Sequence, residues 1–215
     1  MTAHFVPADL RLYFVTDPEG PAPIEATVEA ALRGGATLIQ IRDKHSGDDD
    51  LIALASRLAP ACRERGVPLV LNDRVEAATR AAVDGVHVGQ SDTDASVARA
   101  RLGPRAIIGL SATNLAEAAA VDAAVVDYCG LGPIFATATK LDATPPLELD
   151  GFQAACARCP VPVVAIGGIT ADNAGRIIEA GADGVAVVTA ISRTDDPEVA
   201  TAALRAAVDA RPPRG

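Results

Sequence analysis

Polar clusters interrupt this chain wherever an apolar run stops: Gln40-x-Arg42-x-Lys44, Asn72-Asp73-Arg74, His87-x-Gly89-Gln90-x-Asp92, Ser111, Gly132-Pro133 through Thr137-x-Thr139-Lys140, and Gly167-Gly168. Gln40, Arg42 and Lys44 alternate at period two, so an extended segment presents all three to one side. Arginine grips phosphate bidentately, lysine adds a mobile point charge, and glutamine reads a polar heterocycle or amide. Together they suit an anionic ligand that carries a ring.

Asp73 and Asp92 follow successive apolar runs. Carboxylates on neighbouring strand ends can share one hard divalent ion whose octahedral shell is completed by diphosphate oxygens, an arrangement for Mg2+ rather than zinc. Independent aspartates at helix starts are the competing reading. Asn72 can donate to phosphate or meet a ring through its amide. Ser111 has no Gly-x-Ser-x-Gly elbow, and no Ser, His and acid set is apparent among three histidines, so a hydrogen bond to a diphosphate is its more economical role. His87, inside a short strand, is as readily a packed core histidine as a ligand contact and stays outside the catalytic set. Lys140 is a flexible cation able to neutralise leaving-group charge. Gly167 and Gly168 permit close backbone approach, as in barrels whose loops after strands seven and eight bind phosphate. One end of the mouth would then hold a monophosphate and the other a metal-bound group.

Residues this far apart serve one chemistry only if the fold gathers strand ends. Eight candidate strands are read at Leu12 to Thr16, Leu38 to Ile41, Leu69 to Leu71, Val86 to Val88, Ile107 to Leu110, Val125 to Cys129, Val163 to Ile166 and Val185 to Val188. They alternate with Ala-rich helical segments at Ile24 to Arg33, Asp49 to Glu64, Val75 to Ala82, Ala95 to Leu102, Leu115 to Val121, Phe152 to Cys159, Asn173 to Ala180 and Pro197 to Asp209. Consecutive apolar positions suit a parallel sheet buried on both faces. An open doubly wound sheet builds its site mainly at one switch point, whereas a closed barrel surrounds one mouth with all its strand ends. Polar residues at six or more ends favour a single-domain (β/α)8 barrel, an α/β TIM barrel spanning residues 1–215 with a short tail at about 210–215. The longest interruption, Gly130 to Pro146, is a loop able to cover a substrate.

At 215 residues and 49% hydrophobic content the chain builds one well-packed core. It has no apolar run of transmembrane length, and Met1-Thr2-Ala3-His4 lacks the features of a secretory signal, so a cytoplasmic location is expected, without membrane partners. A net charge of −9 opposes general nucleic acid binding. Against that background Arg42, Lys44, Arg74 and Lys140 are local cations at strand ends. Cys156-x-x-Cys159 has metal or redox spacing but no second pair nearby, and reduced helix cysteines are the preferred reading.

The motifs Gln40-Ile41-Arg42-Asp43-Lys44, Asn72-Asp73-Arg74, Gly85 to Asp92, Gly109-Leu110-Ser111, Asp127-Tyr128 with Gly130 to Phe135, Thr137-Ala138-Thr139-Lys140 and Ala165 to Ile169 resemble the thiamine-phosphate synthase family in order and spacing, from about residue 12 to 191. The resemblance implies condensation of two phosphorylated small molecules. One is 4-amino-5-hydroxymethyl-2-methylpyrimidine diphosphate; the other is a thiazole phosphate, the thiazole carboxylate or its equivalent. It implies that Asp73 and Asp92 bind Mg2+, that Arg42, Lys44, Asn72, Ser111 and Lys140 contact diphosphate, and that Gln40 meets the pyrimidine. Thr137, Thr139, Gly168, Thr189 and Ala190 fall in the thiazole-phosphate region, with Arg42, Lys44, Ser111 and Lys140 as the catalytic set. Thr189 stands where serine is common, Ala138 where proline is frequent, and Thr113 where histidine is frequent. The nearest competitor is a thiazole tautomerase, which has no diphosphate to neutralise; a non-enzymatic sensor would call for an interaction domain or linker.

Overall fold

The computed structural model describes residues 5–136 and 145–210. Eight parallel strands close into a barrel in sequence order: β1 (Leu12–Val15), β2 (Leu38–Ile41), β3 (Leu69–Asn72), β4 (Gly85–Val88), β5 (Ile107–Ala112), β6 (Tyr128–Leu131), β7 (Val163–Ile166) and β8 (Gly184–Val187). The helices are α1 (Ile24–Arg33), α2 (Asp48–Glu64), α3 (Val75–Arg80), α4 (Ala95–Leu102), α5 (Leu115–Ala119), α6 (Glu148–Cys156), α7 (Ala171–Glu179), a one-turn α8 (Thr189–Ser192) and α9 (Pro197–Asp209). This is the expected (β/α)8 architecture. None of the helices is long and apolar enough to cross a membrane, among the described residues.

Period-two alternation divides the core into two layers. Tyr13, Val15, Leu38, Val70, Ile107, Tyr128, Val164 and Ala186 form one cluster inside the barrel. Their neighbours Leu12, Phe14, Ile39, Ile41, Leu69, Leu71, Val163 and Val185 belong to the second, larger cluster with Val28, Leu51, Leu58, Ile177 and Leu204 of the helices. Both faces of each strand are therefore covered, which is why the strands read as apolar runs rather than as alternating ones.

A repeated clip sets where strands begin. The residue before each even-numbered strand bonds back to the start of the strand before it: Thr37 Oγ1 accepts from Leu12 N at 2.9 Å, Asp84 Oδ2 from Leu69 N at 2.8 Å, Asp127 Oδ2 from Ile108 N at 2.7 Å and Asp183 Oδ2 from Val163 N at 2.7 Å. The backbone N–H of each clip residue donates to the same strand, as from Thr37 to Leu12 O and from Asp183 to Val163 O. Strand-edge donors on the floor of the barrel are satisfied in this way without water. Arg99 of α4 reinforces the third clip, donating to Asp127 Oδ2 at 2.7 Å and to the carbonyls of Val125, Gly103 and Ala106.

Two expected boundaries are corrected. The sixth strand begins at Tyr128 rather than Val125, because Val125 and Val126 turn back on Asp122 O and Asp127 is spent as a clip. Helix α6 begins at Glu148, four residues before the expected Phe152. Leu147 N donates to Pro133 O and Glu148 N to Ile134 O, so the chain returning from the long loop is pinned beside its departure point before it turns helical. All four cysteines are free thiols; Cys156 is buried on α6 and its Sγ donates to Gly181 O.

Candidate active site

A cavity of about 370 Å³ opens where the strands end, lined among others by Gln40, Arg42, Asn72, His87, Ser111, Thr113, Gly167, Gly168, Thr189 and Ala190. Gln40 and Asn72 are inward positions near the ends of β2 and β3, and Ser111 lies in the last turn of β5's extended run. Thr16 holds the β2 end in place: its N donates to Gln40 O, and its Oγ1 accepts from Arg42 N at 2.9 Å. After Arg42 the Asp43 carboxylate accepts from His45 N, Ser46 N and Ser46 Oγ, which curls the chain into a turn. The extended run therefore stops at Arg42. Gln40 and Arg42 face the cavity, whereas Lys44 is exposed on the turn and does not line it.

The floor of the cavity is polar. The Gln40 amide nitrogen bonds the Tyr13 hydroxyl, Tyr13 Oη meets Tyr128 Oη at 2.9 Å, Tyr128 Oη meets His87 Nδ1 at 2.9 Å, and His87 Nε2 meets Ser111 Oγ at 2.8 Å. Both phenols are fully enclosed, and burial pushes them well above the ordinary tyrosine value, so they stay protonated. Space for this chain comes from a residue without a side chain: a Cβ at Gly109 would stand 2.2 Å from Tyr128 Cζ and 2.4 Å from His87 Nδ1. Gln90 Nε2 donates to Ser111 O at 2.7 Å and fixes the serine backbone.

Beside this floor lies an acidic pair. Asp73 N donates to His87 O, tying the ends of β3 and β4 together, and Asp73 adopts a left-handed φ of 55°. Its carboxylate accepts from Asn72 Nδ2 at 2.8 Å and pairs with Arg74 Nε at 3.1 Å. Burial first and the Asp92 charge second push the Asp73 carboxyl above its ordinary value, while Arg74, Lys44 and Arg42 pull it down. Asp92 is exposed and its Oδ2 accepts from Gly89 N at 2.7 Å. Two mutually repelling carboxylates near a cavity that Arg42 lines are a donor set a hard cation would relieve, although no group of three or more metal-ligating side chains occurs among the described residues.

The opposite wall is backbone. Gly167 and Gly168 have φ of 106° and 66°, and a Cβ on either would meet Pro133 or Phe135 at 2.7 Å. Asn173 Nδ2 donates to Gly168 O at 2.9 Å, and its Oδ1 accepts from Thr170 N, so the start of α7 holds the glycine turn. Thr189 and Ala190 open α8 on the same side.

The structure thus gathers Gln40, Arg42, Asn72, Ser111, Gly168, Thr189 and Ala190 around one cavity; Asp73, Asp92 and Lys44 do not line it, and Asp73, next to Asn72, lies within electrostatic reach of the other two and of Arg42. Thr137, Thr139 and Lys140, with Ala138, lie outside the described residues. Arg74 is not a free cation, since it pairs with Asp73 and with Asp48 at 3.4 Å. Thr113 lines the cavity but its N and Oγ1 are engaged by Glu117 Oε2. Ser111 does have a histidine beside it, His87. The partner on the far side of His87 is a phenol, not a carboxylate, and a protonated phenol does not stabilise an imidazolium as the acid of a hydrolytic triad does. Tyr13 and Tyr128 were missed because an aromatic residue inside an apolar run reads as core; the signal available was that these are the chain's only two tyrosines, both in strands.

Residues 12–191 match the family model described as thiamine monophosphate synthase. The chain is 46% identical over 208 residues to the thiamine-phosphate synthase of Chloroflexus aurantiacus, covering 96% of this chain and 95% of that one. It is 47% identical over 204 residues to that of Xanthobacter autotrophicus, covering 94% and 97%. The solved thiamine phosphate pyrophosphorylase of Pyrococcus furiosus superposes with a TM-score of 0.87 at 34% identity, covering 95% of this chain and 98% of that one. This barrel, with one cavity lined by Arg42, by polar side chains and by a glycine turn, belongs to the thiamine monophosphate synthase family.

Proposed function

We propose that the protein joins 4-amino-5-hydroxymethyl-2-methylpyrimidine diphosphate to a thiazole phosphate, giving thiamine phosphate and diphosphate in the cytoplasm. The observation that carries this reading is the division of one cavity into two unlike anion walls. Arg42, Asn72 and Ser111, with Lys44 on the turn after Arg42, suit a diphosphate, and the backbone of Gly167 and Gly168 with Thr189 and Ala190 suits a monophosphate. Gln40 lies near the floor, where its amide can read the pyrimidine edge.

In the reaction the bond from the ring methylene carbon to the diphosphate oxygen breaks, the aminopyrimidine delocalises the resulting positive charge, and the thiazole nitrogen forms the new bond to that carbon. No protein nucleophile is consumed. Arg42 and Lys44 hold the departing anion, Ser111 and Asn72 donate hydrogen bonds to it, and Lys140 is assigned to the same task from the long loop. Asp73 and Asp92 would hold Mg2+, which supplies positive charge to the diphosphate oxygens. The glycine wall keeps the thiazole phosphate in place, so that two bound reactants meet at high effective concentration.

Incubating the protein with both precursors and Mg2+ should yield thiamine phosphate and diphosphate in equal amounts, and chelation should stop it. Rearrangement of the thiazole phosphate without condensation would instead establish a tautomerase, for which the acidic pair and Arg42 have no use. Replacing Asp92 by Asn should cost roughly 10–100-fold in Mg2+-dependent turnover, the equivalent of one or two tenfold steps in barrier. Unchanged turnover would remove Asp92 from the metal site.

A further inference from the structure

The five side chains on the cavity floor form one unbroken line from Gln40 to Ser111. They are contributed by β2, β1, β6, β4 and β5, so the line crosses the barrel rather than following the chain. Its direction is not arbitrary, because a tyrosine hydroxyl has one hydrogen and a neutral imidazole has one. If the Gln40 amide nitrogen donates to Tyr13, then Tyr13 donates to Tyr128 and Tyr128 donates to His87 Nδ1. The imidazole hydrogen must then sit on Nε2, where it donates to Ser111 Oγ. Ser111 is left with its own hydrogen free to point into the cavity. Turning the Gln40 amide over reverses every donor: Ser111 then gives its hydrogen to His87 and shows the cavity only lone pairs.

The two directions suit different ligands at both ends. An anion beside Ser111 needs a donor, which selects the first direction. In that direction Gln40 keeps one N–H and its carbonyl oxygen for the ring, a donor and an acceptor side by side. An aminopyrimidine offers the complement, a ring nitrogen that accepts and an exocyclic amine that donates. In the reverse direction the Gln40 oxygen is engaged by Tyr13 and the amide turns its N–H groups toward that amine.

Building on the proposed function, we propose that Tyr13, Tyr128 and His87 are positioning residues that couple the Ser111 hydroxyl to the Gln40 amide, so that an anion bound at Ser111 sets which ring edge Gln40 accepts. The ring and its diphosphate are recognised as one unit. A substrate that carries the anion but the wrong ring meets a floor wired against it, and the right ring without the anion meets a floor whose direction is not set.

The coupling is read as discrimination between the aminopyrimidine diphosphate and its counterpart with an oxo group in place of the amine, by calorimetry with Mg2+. The wild type should favour the amino ring at least about tenfold more strongly when both rings carry the diphosphate than when both are the unphosphorylated alcohols. Tyr128→Phe removes one oxygen from the middle of the line and touches neither ligand. It should erase that difference, and lower kcat for the amino substrate more than it raises KM. Should that variant fail to fold by circular dichroism and gel filtration, Tyr13→Phe cuts the same line one bond nearer Gln40 and carries the same expectation. A folded variant with wild-type discrimination, or a wild type that discriminates equally with and without the diphosphate, overturns the coupling while leaving the condensation intact. A wild type that does not condense the two precursors overturns the proposed function itself and, with it, this role for the floor.

Discussion

At Asp73 both backbone and side chain are held where they would not rest alone. The left-handed φ of 55° is one that asparagine tolerates better than most residues, and the carboxyl is pushed above its ordinary 3.8 by burial and by Asp92. A carboxyl with a raised value in the folded state binds its proton more tightly there than in the unfolded chain. The fold therefore loses stability as pH rises from about 3.8 through the folded value, and carries the full penalty above it. Asp73→Asn should accordingly raise the metal-free Tm at pH 7, with a smaller gain near pH 3, while Mg2+-dependent turnover collapses. Thermal melts across that range check the sign; a variant less stable at pH 7 than at pH 3, relative to wild type, contradicts it. Stability given up at this position is consistent with a residue kept for chemistry rather than for folding. Gln40, Arg42, Asn72, Asp73 and Asp92 were legible in the sequence because each is polar beside an apolar run. Tyr13 and Tyr128 were not, since their hydroxyls meet across 115 residues of chain and only closure of the barrel brings them together.

At the scale of elements, the four clips explain which boundaries the sequence could reveal. β2 and β7 and helices α1, α4 and α9 fall where apolar periodicity and capping residues put them, because those signals are local. β6 does not, because Asp127 is a polar residue whose role depends on a strand 19 residues earlier, and the apolar Val125-Val126 before it reads as strand. The start of α6 depends on bonds to Pro133 and Ile134 across the long loop, which periodicity cannot show. Asp183→Ala should leave Val163 N without its acceptor on the barrel floor, costing about 1–3 kcal/mol for an unsatisfied donor. Urea denaturation measures this directly, and because the clip lies at the end of the strands remote from the cavity, KM for both substrates should stay unchanged.

At the scale of the molecule, the barrel has one seam that joins distant parts of the chain, where β1 pairs with β8 through Leu12 with Val185, Tyr13 with Ala186 and Phe14 with Val187. Arg11 spans that seam. It is 8% exposed, its guanidinium bonds Val208 O at the end of α9 and Asp183 O before β8, and it pairs with Asp209 at 3.5 Å. Arg11→Ala should cost about 2–4 kcal/mol, since it strips charge-assisted bonds from the buried Val208 carbonyl and the part-buried Asp183 carbonyl and removes the exposed Asp209 pair. Stopped-flow unfolding should show the loss mainly as faster opening; an unchanged rate with slower refolding would mean that the seam forms early instead.

The clips carry a further consequence for how the chain is made. Each reaches backward, from the residue before an even-numbered strand to the strand already completed, over 25, 15, 19 and 20 residues. A strand pair can thus be fastened as soon as its second member leaves the ribosome, with no need of sequence still to be synthesised. The bonds of Arg11 to Asp183, Val208 and Asp209, the β1–β8 pairing, and the pairs of Asp17 with Arg193 and of Arg33 with Glu198 must wait for the C-terminus. Synthesis in this order would yield a ladder of finished pairs whose last rung closes the ring, and with it the polar floor of the cavity.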